Sequence, residues 1–132
     1  MTHYVVTYAD ILEAHEHALK FGGSAGIVNS NSVKSAIGRP YSGYHETIEA
    51  KAAALLHSVV QNHGFVDGNK RTALLVTLLL IRRSGYRVVL RENERIDDMV
   101  VDVASGKMTF DRVIEWFRAR LVDRTALRIE IL

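Results

Sequence analysis

Apolar residues recur at helical spacing over most of the chain, and they are densest in its middle. The pattern predicts one helix over about residues 46–62 and another from near residue 69 to about residue 84. The first has a single apolar stripe, formed by Ile48, Ala52, Leu55, Leu56, Val59 and Val60. The second is apolar nearly all round from residue 73 to residue 81, which is typical of a helix surrounded by neighbours in a bundle. These two helices are the predicted core.

Shorter helices are predicted on both sides of this pair. Thr7, Asn31, Asn93 and Thr109 are candidate N-caps, because their short polar side chains can accept a first-turn N–H. Asp10, three residues after Thr7, stands where a capping box usually has glutamate. The last helix is expected to carry Phe110, Val113, Ile114, Phe117 and Leu121. The whole pattern predicts five or six helices in a mostly α bundle.

Two segments fit an extended conformation instead. Residues 86–90 follow Gly85, and the tail alternates apolar and polar side chains at Leu127, Ile129 and Ile131. The tail is a candidate edge strand, with residues 4–6 as its candidate partner. The predicted fold class is therefore mostly α, with room for a minor strand or hairpin.

The composition bounds the possible functions. The chain has 132 residues, 48% of them apolar and 24% charged, so one globular domain is expected. It contains no cysteine, which excludes disulfides, zinc–thiolate sites and a thiol nucleophile. The net charge of +2 is nearly balanced and no recognition motif is present, so direct nucleic-acid binding is not expected. No signal peptide or membrane-spanning run is visible, so a cytoplasmic location without membrane contact is expected.

The run that carries chemistry is His-Gly-Phe-Val-Asp-Gly-Asn-Lys-Arg-Thr at residues 63–72, between the two core helices. A helix that begins near Asn69 presents unpaired N–H groups and partial positive charge at its start. Gly68 lets a phosphate approach the backbone and can supply a positive φ. Lys70 and Arg71 add cations where the helix dipole favours acids, a conflict that a bound anion relieves. The run predicts a phosphate site, although its glycine spacing is not that of a Walker A loop.

Two further side chains of this run suit transfer from a nucleotide. Asp67 is its one acid, and Mg²⁺ commonly takes one or two carboxylates together with phosphate oxygens. His63 stands at the end of the preceding helix, and an imidazole with a pKa of about 6.5 accepts a proton near neutral pH. Structural alternatives stay open, with Asp67 or Asn69 as a helix cap and His63 as a helix-end residue. A base facing a phosphate site and a metal carboxylate indicates transfer to a hydroxyl.

Other histidines and tyrosines have structural interpretations. His15 and His17 are two residues apart and lie on different faces of their helix, which argues against a metal site. His57 is interpreted as structural. Tyr41 and Tyr44 either line a peptide-docking flap or are turn residues that pack on the bundle.

The run at residues 63–71 resembles the signature of the Fic/Doc superfamily, His-x-Phe-x-[Asp/Glu]-[Gly/Ala]-Asn-[Gly/Lys]-Arg. Seven of its nine positions agree, at His63, Phe65, Asp67, Gly68, Asn69, Lys70 and Arg71. Four further segments look like the death-on-curing (Doc) toxin branch, at residues 22–26, 39–40, 82–85 and 104–106. The resemblance covers about residues 7–121 and implies one Fic/Doc domain over residues 1–132 with its motif loop at 63–71. The alternating tail from about residue 122 lies outside the resemblance.

The resemblance implies a role for each motif residue. His63 is the expected catalytic base, Asp67 the expected Mg²⁺ ligand, and Phe65 the structural anchor of the loop. ATP is the expected co-substrate and Mg²⁺ the expected cofactor. The phosphates of ATP are expected to bind Gly68, Asn69, Lys70 and Arg71.

Lys70 bears on the reaction. Most Fic enzymes have glycine at this position and transfer AMP from ATP, whereas Doc toxins have lysine and transfer the γ-phosphoryl group. The resemblance therefore favours a toxin of a toxin–antitoxin system that phosphorylates a protein hydroxyl. The expected target is translation elongation factor Tu, and the expected result is arrested translation. AMP transfer is an alternative, and a non-catalytic partner-binding module is a second one.

An absence in the sequence implies a partner. Many Fic enzymes carry an inhibitory helix with the pattern [Ser/Thr]-x-x-x-Glu-[Gly/Asn]. Here only Glu92 and Asn93 fit its end, and Val88 occupies the Ser/Thr position. The resemblance thus implies inhibition by a cognate antitoxin, which lays a C-terminal helix into a groove on the toxin.

Overall fold

A computed structural model of the chain describes residues 2–124. Within that range the chain forms six α-helices, one short 3-10 turn and two short strands. In chain order they are α1 (Tyr8–Leu19), α2 (Ser30–Gly38), the 3-10 turn (Arg39–Tyr41), α3 (Ile48–Asn62), α4 (Asn69–Arg83), β1 (Tyr86–Val88), α5 (Ile96–Ala104), α6 (Phe110–Arg118) and β2 (Leu121–Asp123). The mostly α fold expected from the apolar periodicity is confirmed.

Polar side chains determine where several of the helices begin. Thr7 Oγ1 accepts a hydrogen bond from Asp10 N at 3.1 Å, and Asp10 Oδ2 accepts one from Thr7 N at 2.9 Å. This reciprocal pair is a capping box at the start of α1. Thr109 caps α6 by accepting a hydrogen bond from Arg112 N. Both caps agree with the sequence prediction.

Two predicted caps are wrong. Asn29, and not Asn31, accepts the first-turn N–H groups of α2, so this helix begins at Ser30. α5 begins after Arg95, and Asn93 lies just before it in the left-handed region at φ 63°. Asparagine adopts this conformation more easily than most non-glycine residues, so Asn93 marks a turn and not a helix start.

α3 and α4 pack against each other at the centre of the bundle, as their apolar patterns predict. α1 also packs on α4, while α2 and α6 pack on α3. The core residues of this central pair are small or branched, among them Ala52, Leu55, Leu56, Ala73, Val76 and Leu80. One side of α4 is not enclosed, because Leu75, Leu78 and Leu79 are half-buried and line a groove beside α1.

β1 and β2 form a two-stranded antiparallel sheet in which Tyr86 lies opposite Asp123. The extended conformation predicted for residues 86–90 is thus confirmed for the three residues of β1. The placement of Leu121 in the last helix is wrong, since α6 ends at Arg118 and Leu121 begins β2.

The buried side chain of Arg120 gives the physical reason for this early helix end. Its guanidinium group donates to both carboxylate oxygens of Glu94, at 2.8 Å and 2.6 Å, and to the carbonyl oxygen of Trp116 at 2.9 Å. These bonds hold the segment after α6 against the loop that precedes α5. The chain then runs back along β1.

Side-chain hydrogen bonds hold the N-terminal segment, and no strand between residues 2 and 124 pairs with it. Residues 4–6 are not in a strand; Tyr4 N donates to Ser84 Oγ at 3.0 Å, and Val6 N donates to Tyr41 Oη at 2.9 Å. The edge strand predicted at residues 127–131 lies outside the described residues. No helix between residues 2 and 124 is long and apolar enough to cross a membrane.

Candidate active site

The motif loop connects the end of α3 to the start of α4, and both of its ends are in left-handed conformations. His63 follows α3 at φ 46°, and Gly68 precedes α4 at φ 78°. The positive φ predicted for Gly68 is therefore confirmed. Because α3 and α4 pack side by side, the loop closes one end of the helix pair and borders a pocket of about 470 Å³. The pocket is lined by Val60, His63, Val66, Asp67, Gly68, Asn69, Lys70, Arg71 and Ala104.

The segment before α2 braces the motif loop through backbone hydrogen bonds. Ile27 forms an antiparallel bridge with Phe65, and Val66 N donates to the carbonyl oxygen of Gly26 at 3.0 Å. Val28 N donates to the carbonyl oxygen of Gly64 at 2.9 Å. The loop conformation thus depends on a segment far from it in sequence.

Gly64 has a packing reason to be glycine. A Cβ atom at this position would lie 2.5 Å from Cγ2 of Val33, closer than real side chains come. The loop can therefore approach α2 only without a side chain here. The signature leaves this position unspecified, and no sequence signal indicates the contact.

Phe65 and Asn69 hold the loop from inside. Phe65 is buried, as expected for a structural anchor. Asn69 Oδ1 accepts a hydrogen bond from Phe65 N at 3.1 Å, and Asn69 Nδ2 donates to the Phe65 carbonyl oxygen at 2.9 Å. The Asn69 side chain is therefore committed to the loop, and the group it offers an anion is its backbone N–H at the start of α4.

Asp67 carries an exposed carboxylate that backbone N–H groups hold in place. Its Oδ1 accepts a hydrogen bond from Gly68 N at 2.8 Å, and its Oδ2 accepts one from Ser24 N at 3.2 Å. These bonds, with a smaller contribution from the charge of Arg71, lower the pKa of Asp67 below its ordinary value. The carboxylate is consequently ionised at neutral pH and available to a metal ion.

Asp67 does not cap α4, which settles one alternative left by the sequence. Gly68 is the N-cap residue, and among residues 2–124 no side chain caps this helix. The Asp67 carboxylate instead reaches the segment between α1 and α2, where a Cβ atom on Gly23 would lie 2.9 Å from Asp67 Oδ2. Gly23 also has φ +110°, so both space and backbone conformation favour glycine there.

Lys70 and Arg71 are exposed in the first turn of α4 and line the pocket. Arg71 Nη1 donates to the carbonyl oxygen of Phe21 at 3.3 Å, and its Cζ lies 5.2 Å from the centre of the Phe21 ring. Within the described part of the chain, Lys70 makes no ion pair and no side-chain hydrogen bond. Arg71 is thus held by Phe21, just after α1, whereas Lys70 is available to a ligand.

His63 is exposed on the pocket side of the loop. His57, on the same helix, is half-buried and contacts the edge of the Phe110 ring, and burial lowers its pKa. His57 is therefore structural, as the sequence interpretation held. No group of three metal-binding side chains occurs among residues 2–124, so any metal ion at this loop would have Asp67 as its carboxylate and would need other oxygens to complete its shell.

The sequence interpretation treated His15 as structural and missed its contact with the motif loop. Its ring stacks on the Phe65 ring with centres 3.9 Å apart, and its Nε2 lies 2.8 Å from the carbonyl oxygen of Asp67. His15 is buried and His17 is exposed, as expected for two different helix faces. A histidine at a core position of α1 was the available signal, but only the structure shows what it contacts.

The two tyrosines before α3 separate into different roles. The Tyr41 hydroxyl donates to the carbonyl oxygen of Tyr4 at 2.8 Å and accepts from Val6 N, so Tyr41 packs on the bundle. Tyr44 is 89% exposed. Tyr41 is therefore a turn residue that packs on the bundle and not part of a peptide-docking flap.

Comparison with known proteins identifies the family of this chain. A family model described as Fic/DOC family matches residues 5–81, a range that contains α1 to α3, the whole motif loop and all but the last two residues of α4. The chain belongs to the Fic/DOC family. Two Doc relatives are similar over most of their length. Toxin Doc of Mycolicibacterium smegmatis is 29% identical over 119 residues, 86% of this chain and 89% of the relative. Protein kinase doc of Escherichia phage P1 is 30% identical over 104 residues, 75% of this chain and 80% of the relative.

Proposed function

We propose that this Fic/DOC protein is a Doc-type toxin that transfers the γ-phosphoryl group of ATP to a hydroxyl group of a protein. The observation that carries the proposal is the start of α4. Its N-terminus, which no side chain of residues 2–124 caps, and two cations border the same pocket as His63 and the ionised Asp67. The phage P1 relative is named as a protein kinase, which supports phosphoryl transfer for this chain.

The start of α4 supplies the groups for a triphosphate. Backbone N–H groups in the first turn and the positive end of the helix dipole attract phosphate oxygens. Lys70 adds a charge that no protein group neutralises within the described residues, and Arg71 adds a second one from a fixed position. Gly68 leaves the backbone open to close approach by the ligand.

His63 acts as the base in this proposal. It takes the proton from the target hydroxyl, whose oxygen then forms a bond to the γ-phosphorus of ATP. The bond from that phosphorus to the β–γ bridging oxygen breaks, and ADP leaves. Asp67 holds Mg²⁺, which when bound neutralises charge on the phosphate oxygens. The chain's part is to hold the metal, orient the phosphates and accept one proton.

The proposed protein substrate is elongation factor Tu, and phosphorylation would arrest translation in the cytoplasm. The purified protein is incubated with elongation factor Tu, Mg²⁺ and ATP, and the intact mass of the factor is measured. A gain of about 80 Da, one phosphate, is the expected result. A gain of one adenylyl group would replace phosphoryl transfer by AMP transfer. No gain with the factor or with whole lysate would favour a non-catalytic binding module.

The matched variant for this experiment is His63→Asn. Asparagine tolerates the left-handed conformation at φ 46°, so the variant keeps the end of α3 while removing the base. Transfer is expected to fall by about 10²- to 10⁴-fold, the usual contribution of a general base. Transfer at the wild-type rate would show that His63 is not the base.

A cognate antitoxin completes the proposed function, and the groove between α1 and α4 is its proposed seat. The groove has a volume of about 330 Å³, and its floor is formed by Leu75, Leu78 and Leu79. Its rim carries both signs of charge, with Asp10 and Glu13 from α1 and Arg82 and Arg83 from α4. An apolar floor with a charged rim fits an amphipathic helix. The Doc toxins that resemble this chain support an antitoxin as its source.

Co-purification with the product of the neighbouring gene tests this part of the proposal. Leu78→Lys puts a charge into the apolar floor and is expected to abolish the complex. Val101→Lys is the control, since Val101 is 52% exposed on α5 and lies outside the groove. If the Leu78 variant is folded and still binds the antitoxin like wild type, the groove is not the seat.

A further inference from the structure

His15 lies in α1, far from the motif in sequence, yet it contacts two residues of the motif loop and lies beside a third. Its ring stacks on Phe65 with an interplanar angle of 15°. Its Nε2 is 2.8 Å from the carbonyl oxygen of Asp67. A Cβ atom built on Gly68 would lie 3.7 Å from the same ring, so the ring lies beside the residue that precedes α4. His15 itself is only 6% exposed.

The hydrogen bond fixes the tautomer of His15. A carbonyl oxygen only accepts, so Nε2 must carry the proton and donate. A buried imidazole is costly unless its polar atoms are bonded, and here the bond goes to the motif loop and not to α1. An aromatic side chain kept only for packing would need no such donor.

The bond also fixes the direction of the next N–H group. The carbonyl of Asp67 and the N–H of Gly68 belong to one planar trans peptide, so they point in opposite directions. When His15 holds the carbonyl towards α1, the Gly68 N–H is turned away from α1, where it donates to Asp67 Oδ1 at 2.8 Å. His15 thereby orients both the backbone and the carboxylate of the pocket.

We propose that His15 is a positioning residue that sets the 67–68 peptide, so that the Asp67 carboxylate and the start of α4 face the pocket together. The consequence for Mg²⁺ and nucleotide rests on the proposed function, whereas the consequence for the loop conformation does not. His15 touches no substrate and acts only through Asp67 and Gly68.

Two variants separate the hydrogen bond from the ring stacking. His15→Gln keeps an N–H donor at a reach similar to that of Nε2, and His15→Phe keeps a ring on Phe65 but removes the donor. Glu16→Gln is the control, because Glu16 is exposed on the same helix. Two properties are measured on each folded protein: amide hydrogen exchange at Val66 and Gly68, and the affinity for Mg²⁺-ATP by calorimetry.

For His15→Phe we expect amide exchange at Gly68 to be about tenfold faster and Mg²⁺-ATP affinity about tenfold weaker, the ratio that one lost hydrogen bond gives. His15→Gln is expected to stay close to wild type in both properties, and Glu16→Gln to be unchanged. A His15→Phe variant that melts earlier but keeps wild-type exchange and affinity would overturn the proposal, since His15 would then only fill space. If wild type itself binds no Mg²⁺-ATP, the proposed function fails, and the exchange rates still decide the role of His15.

Discussion

α3 and α4 are both 15 residues long and pack against each other, but their first turns are built in opposite ways. At the start of α3, Thr47 Oγ1 accepts a hydrogen bond from Ala50 N at 3.2 Å, and Glu49 adds an acid. α4 has a glycine at its N-cap and no acid in its first turn, and within residues 2–124 no side chain caps it. Its first turn instead contains two cations.

The first turn of α3 has the groups that stabilise a helix, whereas the first turn of α4 has the groups that an anion site requires. A side-chain cap contributes about 1 kcal/mol, and a first-turn acid contributes about 0.3 to 1 kcal/mol. α4 lacks both, and it forms because Ala73, Val76 and Leu80 bury its other turns in the core. The buried turns offset an unfavourable start, which leaves the first N–H groups and the cations to a ligand.

The largest expected effect comes from giving α4 the start of α3. Gly68→Thr places a β-branched residue at φ 78°, and we expect the free energy of unfolding to fall by about 2 kcal/mol, as left-handed strain predicts. The atoms nearest to a Cβ at Gly68 belong to Ala18 and His15, at an ordinary 3.7 Å, so backbone strain and not crowding is the cause. Urea unfolding measures the loss, and calorimetry is expected to detect no Mg²⁺-ATP binding.

Gly68→Asn separates the two consequences of that substitution. Asparagine tolerates a positive φ, so stability is expected to stay nearer to wild type, while its side chain still closes the backbone to phosphate. If the asparagine variant binds Mg²⁺-ATP as wild type does, an open glycine backbone is not what the site uses.

The reverse change removes the cap that α3 has and α4 lacks. Thr47→Ala is expected to lower the free energy of unfolding by about 1 kcal/mol, because Ala50 N loses its side-chain acceptor. Mg²⁺-ATP affinity of the folded protein is expected to be unchanged, since Thr47 lies at the other end of α3. Thr47→Ser, which keeps the hydroxyl, serves as the control. A loss of affinity in the alanine variant would contradict the separation of the two helix starts.

Lys70→Gln is expected to raise stability and weaken binding at once. Removing a cation from the positive end of the helix dipole stabilises α4 by about 0.3 to 1 kcal/mol at low salt, while the triphosphate loses a partner. Lys107→Gln is the control for general charge effects, because Lys107 is exposed and outside any helix. Urea unfolding and calorimetry are run on both. A Lys70 variant that is less stable than wild type would show that the helix-dipole conflict is absent.

The contrast between the two helices also shows what a sequence reveals. The apolar periodicity predicts α3 and α4 and their pairing, because burial of a helix face is written into the spacing of the apolar residues. The caps at Thr7 and Thr109 follow equally from local chemistry. Asn93 misleads, since the same short polar side chain serves a left-handed turn, and Leu121 misleads, since the buried ion pair of Arg120 is a long-range contact.

In the candidate site, too, some features follow from the local sequence and others depend on long-range contacts. The motif predicts which side chains border the pocket, and the glycine at position 68 permits the positive φ found there. The loop geometry does not follow from the motif. It depends on His15, on the N–H of Ser24 and on the segment paired with Phe65, and these lie far from the motif in the chain. Their contacts form only when α1 and α2 pack on the central pair.

The smallest expected effect concerns the one acid near the start of α4. The N–H groups of Gly68 and Ser24 lower the pKa of Asp67 in the folded protein, whereas in the unfolded chain its pKa is about 3.9. The resulting stabilisation is therefore present above pH 3.9 and is lost as the pH falls through the folded-state pKa. A carbon NMR titration of the Asp67 carboxyl group is expected to give a midpoint below 3.9. In Asp67→Asn the stability difference from wild type is expected to shrink over the same acidic range. A midpoint at or above 3.9 would mean that the two N–H groups do not hold this carboxylate in solution.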